Sequence, residues 1–197
     1  MPRVLSEADV ADFRDRLCDA AERLFAEHGP DAVTMRQLAA ELGVSPMTPY
    51  RYFRDKEDIL AAVRTNGFNR FAQALETARD SASDARARGA AVGEAYLAFA
   101  FAHPHTYKLM FDLNQPHEAD YPELVAAAGR ARETMSGYVK DLTAAGVLAG
   151  DPQDIGQMFW AATHGAVVLE MAGKLPPGRA RQLHELLGPV FRKGLQP

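Results

Sequence analysis

Residues 34–53 read TMRQLAAELGVSPMTPYRYF, a pattern of two short helices with a tight turn between them. Thr34 followed three residues later by Gln37 is a capping box, Leu38, Ala39 and Leu42 form one apolar face, and Gly43 is a helix-ending residue. Val44 plugs the turn. Ser45 is placed to cap the next helix through its hydroxyl, and Pro46 falls at that helix's first position, where a missing N–H costs nothing. A connection this short is the spacing of a helix-turn-helix, whose second helix enters a DNA major groove.

The face of that second helix follows from its period. At about 100° per residue, a core-facing Phe53 puts Pro49 beside it and turns Met47, Thr48, Tyr50 and Arg51 away. A solvent-facing helix that carries Met and Tyr in place of Lys and Glu is one that meets something. Met47 and the Thr48 methyl suit thymine methyls, Arg51 suits a guanine edge or a phosphate, and the Tyr50 and Tyr52 hydroxyls suit flanking phosphates. Lys56 falls in the first turn of the following helix, where a cation opposes the macrodipole by about 0.3–1 kcal/mol. A phosphate docked there would reverse the penalty. Pro49, near the fourth helical position, deletes the first intrahelical hydrogen bond and tightens the helix start.

The whole chain sets limits on this picture. It has 197 residues, 47% of them hydrophobic, enough for one large or two small domains with a proper core. The single Cys18 excludes an internal disulfide framework and reads as a small buried hydrophobe. With no secretion-signal pattern and no apolar run long enough to span a membrane, a soluble cytoplasmic protein is expected. The net charge of -4 argues against a bulk nucleic-acid coat. Basic charge is local: residues 1–63 hold 8 Lys or Arg against 12 Asp or Glu, but residues 34–56 hold Arg36, Arg51, Arg54 and Lys56 against Glu41 and Asp55.

The remaining pattern is helical throughout. Phe13, Leu17, Ala20, Ala21 and Leu24 mark a helix over about 8–28, ended by Gly29-Pro30. Asp55 and Asp58 open a long helix reaching Asp80, on the order of 39 Å, with Ile59, Val63, Phe68, Phe71 and Leu75 inward. The polar stretch 81–89 is expected as a connection. A helix over 90–102 follows, on which Phe99 and Phe101 cannot share one core. Then come a short helix over 105–111, a loop through Asn114, Pro116 and Asp120, and a helix from Pro122 to about Ala145. Asp151-Pro152 starts a helix reaching Lys174. Leu183, Leu186, Leu187, Val190 and Phe191 mark the last helix, kinked or ended at Pro189. No strand pattern is present, so the fold class is all-α.

The run VTMRQLAAELGVSPMTPYRYFRDKEDIL (33–60), with AAERLFAEHG before it, resembles the DNA-binding domain of the TetR family of transcriptional regulators. The resemblance implies an all-helical homodimer, a domain over 1–54 reading a palindromic operator, and a domain over 55–197 that dimerises and holds a small-molecule inducer, the helix from 55 to about 80 bridging the two. Matched position by position, Thr34, Tyr50, Tyr52 and Lys56 would touch phosphates, while Arg36, Met47 and Thr48 would lie near base edges. With Arg51 and the capping residues Gln37 and Ser45, these are the candidate DNA contacts. Pro49 departs from the family's Leu or Ile, and the acidic first helix is a second departure. The segments WAATHG (160–165) and HPHTYKLMF (103–111) are similar to the subgroup whose ligand domain is named for its Trp, His and Gly.

The helix around 151–174 is apolar nearly all round, so both sides need cover. Its small residues Ala162, Gly165 and Ala166, with Leu169 and with Leu183 and Leu187 of the last helix, are the candidate dimer interface. Glu170, the only charge between Asp154 and Lys174, is expected to pair with a partner or rim a cavity. Phe99, Tyr107, Met110, Phe111, Met135, Tyr138, Trp160 and His164 are the candidate ligand contacts, although such side chains ordinarily fill cores. His103, His105 and His117 lack i, i+3 or i, i+4 ligand spacing, so neither a metal nor another cofactor is expected. Nothing pairs a nucleophile with a base or forms a phosphate loop, so an enzyme is not expected. The leading reading is a repressor released from DNA by a small, largely apolar inducer. The alternatives are a constitutive or protein-controlled helical dimer and a dimer that has lost DNA binding.

Overall fold

Ser6 opens the first helix with a reciprocal cap. Its hydroxyl accepts the Asp9 N–H at 3.1 Å, while the Asp9 carboxylate accepts the Ser6 N–H at 3.0 Å. In the computed structural model, which describes residues 6–112 and 118–194, the helices are α1 (Glu7–His28), α2 (Met35–Glu41), α3 (Lys56–Asp80), α4 (Ala85–Ala102), α5 (Pro104–Phe111), α6 (Pro122–Ala144), α7 (Pro152–Met171) and α8 (Arg179–Gly194). Single 3-10 turns lie at Pro49–Arg51 and Glu118–Asp120. Among the described residues there is no strand, and the fold is all-α. The expected loop through Asn114 and Pro116, and His117, lie outside the described residues. None of the described helices is long and apolar enough to cross a membrane.

Four expectations change. The connection after α3 is residues 81–84, because the Asp84 carboxylate accepts the N–H groups of Arg86 and Ala87 at 2.9 Å and so starts α4 ahead of residue 89. α7 stops at Met171 and not at Lys174: Gly173 takes φ +66°, its N–H donates to the Glu170 carbonyl at 2.9 Å, and the Lys174 N–H donates to that of Leu169 at 2.8 Å. Pro189 lies inside α8, which continues to Gly194. Glu170 serves the chain itself, its carboxylate accepting the N–H groups of Gly178 and Ala180 at 2.7 and 2.6 Å, where α8 begins.

The contacts divide the chain into two compact units, Met1–Phe68 with His105–Ala127 and Asn69–Pro104 with Ala128–Pro197. In the first, Leu17, Cys18, Phe25, Leu38, Phe53, Ile59, Val63 and Leu109 are buried in one cluster. Burial pushes the Cys18 thiol up to about 12, leaving it an inert hydrophobe. α5 is tied in by polar contacts as well: the buried Arg64 donates to the Met110 carbonyl at 3.3 Å and to Glu118 at 2.6 Å, and the Thr106 hydroxyl donates to Glu22. In the second unit Phe71 packs edge-on to Tyr96 at 5.2 Å and against Phe99 at 5.0 Å. Phe101 is exposed, as a position two residues from Phe99 must be. Val139, Leu142, Leu148 and Ile155 form a further cluster there.

Candidate functional site

The first candidate surface is built on α2 and the turn after it. Thr34 and Gln37 make the expected box, the Gln37 N–H donating to the Thr34 hydroxyl at 3.3 Å and the Thr34 N–H to the Gln37 side-chain oxygen at 2.8 Å. The hydroxyl of Thr34 also donates to that oxygen at 2.8 Å, so the cap occupies the Thr34 hydroxyl and the Gln37 side-chain oxygen and leaves the Gln37 side-chain NH2 outside it. α2 ends with Gly43 at φ +65°, its N–H donating to the Ala40 carbonyl at 3.0 Å and the Val44 N–H to that of Ala39 at 3.0 Å. This left-handed cap turns the chain out of α2 in one residue.

The segment that follows is not the α-helix expected from Pro46 onward. The Thr48 N–H donates to the Ser45 carbonyl at 2.8 Å, that of Arg51 to Thr48 at 3.1 Å, and that of Tyr52 to Pro49 at 3.0 Å, all three residues back. Pro49 has no N–H to give the carbonyl of Ser45, and its ring crowds that carbonyl, so the chain tightens into 3-10 geometry. The tightening expected at the helix start thus runs through Tyr52, and only the Phe53 N–H reaches four residues back, to the Pro49 carbonyl at 3.0 Å. Ser45 caps only a turn, accepting the Met47 N–H at 3.4 Å.

The presented face nonetheless matches the periodicity. Pro49 and Phe53 are buried, while Met47 is 68% and Tyr50 49% exposed. Among the described residues neither Arg36 nor Arg51 is in an ion pair, whereas Arg23 is held by Glu41 at 3.3 Å and Arg54 by Asp58 at 2.9 Å. Arg54 holds the Asp58 carboxyl below the usual range, chiefly through their hydrogen bond. Lys56 is partly committed: its ammonium donates to the carbonyls of Pro30 and Asp31 at 2.5 and 3.3 Å, fastening the loop after α1. Tyr52 stacks on Phe13 with centroids 4.3 Å apart, so its ring serves packing and the hydroxyl is the part left for a contact.

Arg14, which sequence reasoning passed over, fixes the end of this segment. It donates to the Tyr52 carbonyl at 2.5 Å, and its guanidinium lies 4.1 Å above the Phe53 ring. Its one sequence signal was a basic residue one turn ahead of the core positions of a helix that is acidic on balance.

The second candidate surface lies in the second unit, among α4, α6, α7 and α8. A cleft of about 480 Å³ is lined by Tyr138, Leu142, Leu148, Phe159 and His184, with Arg86, Glu94 and Glu185 also on its walls. Another of about 330 Å³ is lined by Arg132, Met135, Ser136, Lys140, Gln153 and Trp160. A void of about 30 Å³ has Met135 and Trp160 in common with the second and Tyr138, Phe159 and His184 in common with the first. The two clefts, unlike the small void, are in the size range of ligand pockets. Of the eight candidate ligand contacts, only Met135, Tyr138 and Trp160 line these cavities. Tyr107, Met110 and Phe111 belong to the first unit, where Phe68 and Phe111 pack edge-on at 5.5 Å, and Phe99 is core. His164 lies with its Nδ1 3.4 Å from the Tyr96 hydroxyl.

His184 was missed because nothing around it in sequence marks it. Its place depends on Gly93, where any Cβ would run into the imidazole, and on Thr163, whose hydroxyl lies 3.0 Å from its Nδ1. Burial lowers the pKa of His184, and burial likewise lowers that of His164, from the ordinary 6.5. The unfolded chain therefore binds more protons than the folded one below that value, and stability falls as pH drops from about 7 towards 5. His184→Gln should flatten part of this slope, as read by urea midpoints across that range.

Residues 17–63 match the profile described as bacterial regulatory proteins, tetR family, and residues 89–188 match that of the tetracyclin repressor-like C-terminal domain. An HTH-type transcriptional regulator of Staphylococcus aureus is 33% identical over 72 residues, 36% of this chain and 39% of its own length. An uncharacterized HTH-type transcriptional regulator of Mycobacterium tuberculosis is 29% identical over 163 residues, covering 81% of this chain and 71% of that one. The chain thus spans about two fifths of the first relative and over two thirds of the second. A solved structure from Rhodococcus sp. RHA1, described as a protein with unknown function, is 31% identical with a TM-score of 0.81 and full coverage of both chains.

Proposed function

Because the chain belongs to the TetR family of transcriptional regulators, whose members bind DNA, we propose that it is a homodimeric repressor of a palindromic operator, released by a small, largely apolar ligand. Residues 1–54 with Lys56 supply the DNA contacts, and residues 55–197 supply dimerisation and the ligand site. The observation that carries the DNA reading is the pair Arg36 and Arg51, exposed and free of ion pairs among the described residues, in a motif whose Met47 and Tyr50 are also exposed. Arg51 and Arg36 reach base edges or phosphates, Met47 and Thr48 meet thymine methyls, and Tyr50 and Tyr52 contact phosphates.

The test is operator binding by fluorescence anisotropy with the DNA flanking the protein's own gene, over a salt series. Arg51→Ala should weaken binding by about 1–3 kcal/mol if it reads a base, with the loss confined to the specific site. If it meets only a phosphate, specific and random DNA weaken alike and the slope of log K against log salt falls by about 0.9. An unchanged affinity would remove Arg51 from the surface.

Ala162, Gly165, Ala166, Leu169, Leu183 and Leu187 line one open apolar groove along α7 and α8, of about 380 Å³. Leu169, Leu186 and Val190 around it are 47%, 55% and 65% exposed. A contiguous apolar face of this kind fits a second copy of the chain. Leu186→Glu should give monomers by analytical ultracentrifugation. Because two linked half-site contacts raise avidity by about 10²–10⁴, operator binding should fall far more than any single DNA contact explains.

Release is a population shift: the ligand stabilises a form in which the recognition segments no longer match successive major grooves, about 34–36 Å apart. α3, α5 and α6 each carry residues of both units, α5 by Pro104 alone, so α3 and α6 are the longer elements through which ligand occupancy reaches the DNA-contacting segment.

A further inference from the structure

The two clefts walled by α6 differ in chemistry, and they lie on nearly opposite faces of that helix. At about 100° per residue, Arg132, Ser136 and Lys140 face one way and Tyr138 and Leu142 the other. Between them is only the small void walled by Met135, Tyr138, Phe159 and Trp160. Met135 is flexible, and a ligand that swung it and the flanking rings aside would join the three spaces into one passage. A ligand filling it reaches across roughly the 10 Å width of a helix.

The ends of the passage dictate the ligand's ends. In the polar cleft Lys140 is held by Glu133 at 2.7 Å, and the first turn of α7 is already satisfied by Asp151, which accepts the N–H groups of Gln153 and Asp154 at 2.8 and 3.1 Å. Arg132 is in no ion pair among the described residues, and the amides of Gln153 and Gln157 lie on the same cleft. The uncommitted charge at this end is therefore positive. At the other end the walls are Tyr138, Leu142, Leu148 and Phe159; Glu94 is paired with Arg181, and Glu185 has Arg86 in the same cleft. That end offers apolar surface without a net charge.

We propose that the ligand is an amphipathic anion, an unbranched or fused-ring apolar body ending in one acidic group, with the acid on Arg132 and the body passing Met135 and Trp160 into the apolar cleft. This rests on the ligand-responsive reading above and names the ligand's class.

The chain has one tryptophan, so intrinsic emission reports Trp160 directly and without DNA. The full-length protein would be titrated with decanoate, decanol and decyltrimethylammonium, with operator anisotropy followed in parallel. Saturable change in Trp160 emission with decanoate, at least 10-fold tighter than with the cation, is expected. Arg132→Gln should weaken decanoate at least 10-fold and leave decanol unchanged, and Arg132→Lys should restore part of the loss; Arg132 is exposed, so neither variant should affect folding. Equal or tighter binding of the cation, no emission change with decanoate, or indifference to Arg132→Gln would overturn the proposal. Decanoate bound at Trp160 with the operator still held would uphold it and sink the release reading. Release of the operator by some other small molecule, with decanoate silent, would do the reverse.

Discussion

Phe53→Ala is expected to cost about 3–5 kcal/mol of unfolding free energy, a large share of the 5–15 kcal/mol typical of a domain. The ring is 2% exposed and packs in one cluster with Leu17, Leu38 and Ile59. It is also the surface over which the Arg14 guanidinium lies at 4.1 Å. Truncation leaves a void under the recognition segment and frees Arg14, whose remaining hydrogen bond to the Tyr52 carbonyl then has to orient that segment unaided. DNA affinity should fall beyond what the folded fraction explains. Phe53→Leu, which keeps most of the volume, should cost under about 1.5 kcal/mol. A urea midpoint for Phe53→Ala near that of the parent chain would show that the segment is not anchored through this ring.

Gly156→Ala should be the most damaging single-methyl change in the second unit. A Cβ there would sit 2.5 Å from the Ser136 Cβ and 3.3 Å from the Ser136 Cα, and the latter is backbone that cannot swing aside. α6 and α7 would have to separate, at a cost of about 1–3 kcal/mol by overpacking and against the roughly 0.5–1 kcal/mol that alanine returns in helix propensity. Ser136→Gly in the same chain removes the nearer clash and should recover much of the loss, a coupling a double-mutant cycle would read. Additive effects would mean that the two helices do not meet at this pair.

Local chemistry explains which features were legible in the sequence. Caps are written within four residues, so Thr34–Gln37, Gly43, Asp151-Pro152 and the start of the long helix at Asp55 could be read directly, as could the outward turn of Met47, Tyr50 and Arg51. The second element of the motif was readable as to its face but not its hydrogen bonding: Ser45-Pro46 announced a helix start, while Pro49 three residues on removed the bond an α-helix needs there. Tertiary placement was the harder part. Tyr107, Met110 and Phe111 look like pocket residues in sequence, yet they complete the core around α3. His184 carries no local mark because its position is made by a glycine, Gly93, on another helix and a hydroxyl, Thr163, on a third. Lys56 and Glu170 each turned out to serve backbone groups of a neighbouring segment, a role no spacing rule reveals.

Because Leu109, Thr106 and Met110 complete the packing of α1 and α3, the unit that carries the recognition segment closes only when residues 105–127 are present. During synthesis the ribosome must add the 59 residues from Phe68 to Ala127 first, which takes about 3–12 s at 5–20 residues per second. Throughout that interval the N-terminal helices lack a wall of their core. A nascent chain stalled before residue 105 therefore lacks a finished DNA-reading unit, and that unit closes once α4 and α5 are made but before α7 and α8 exist, so the DNA-reading surface matures ahead of the helices that carry the apolar groove.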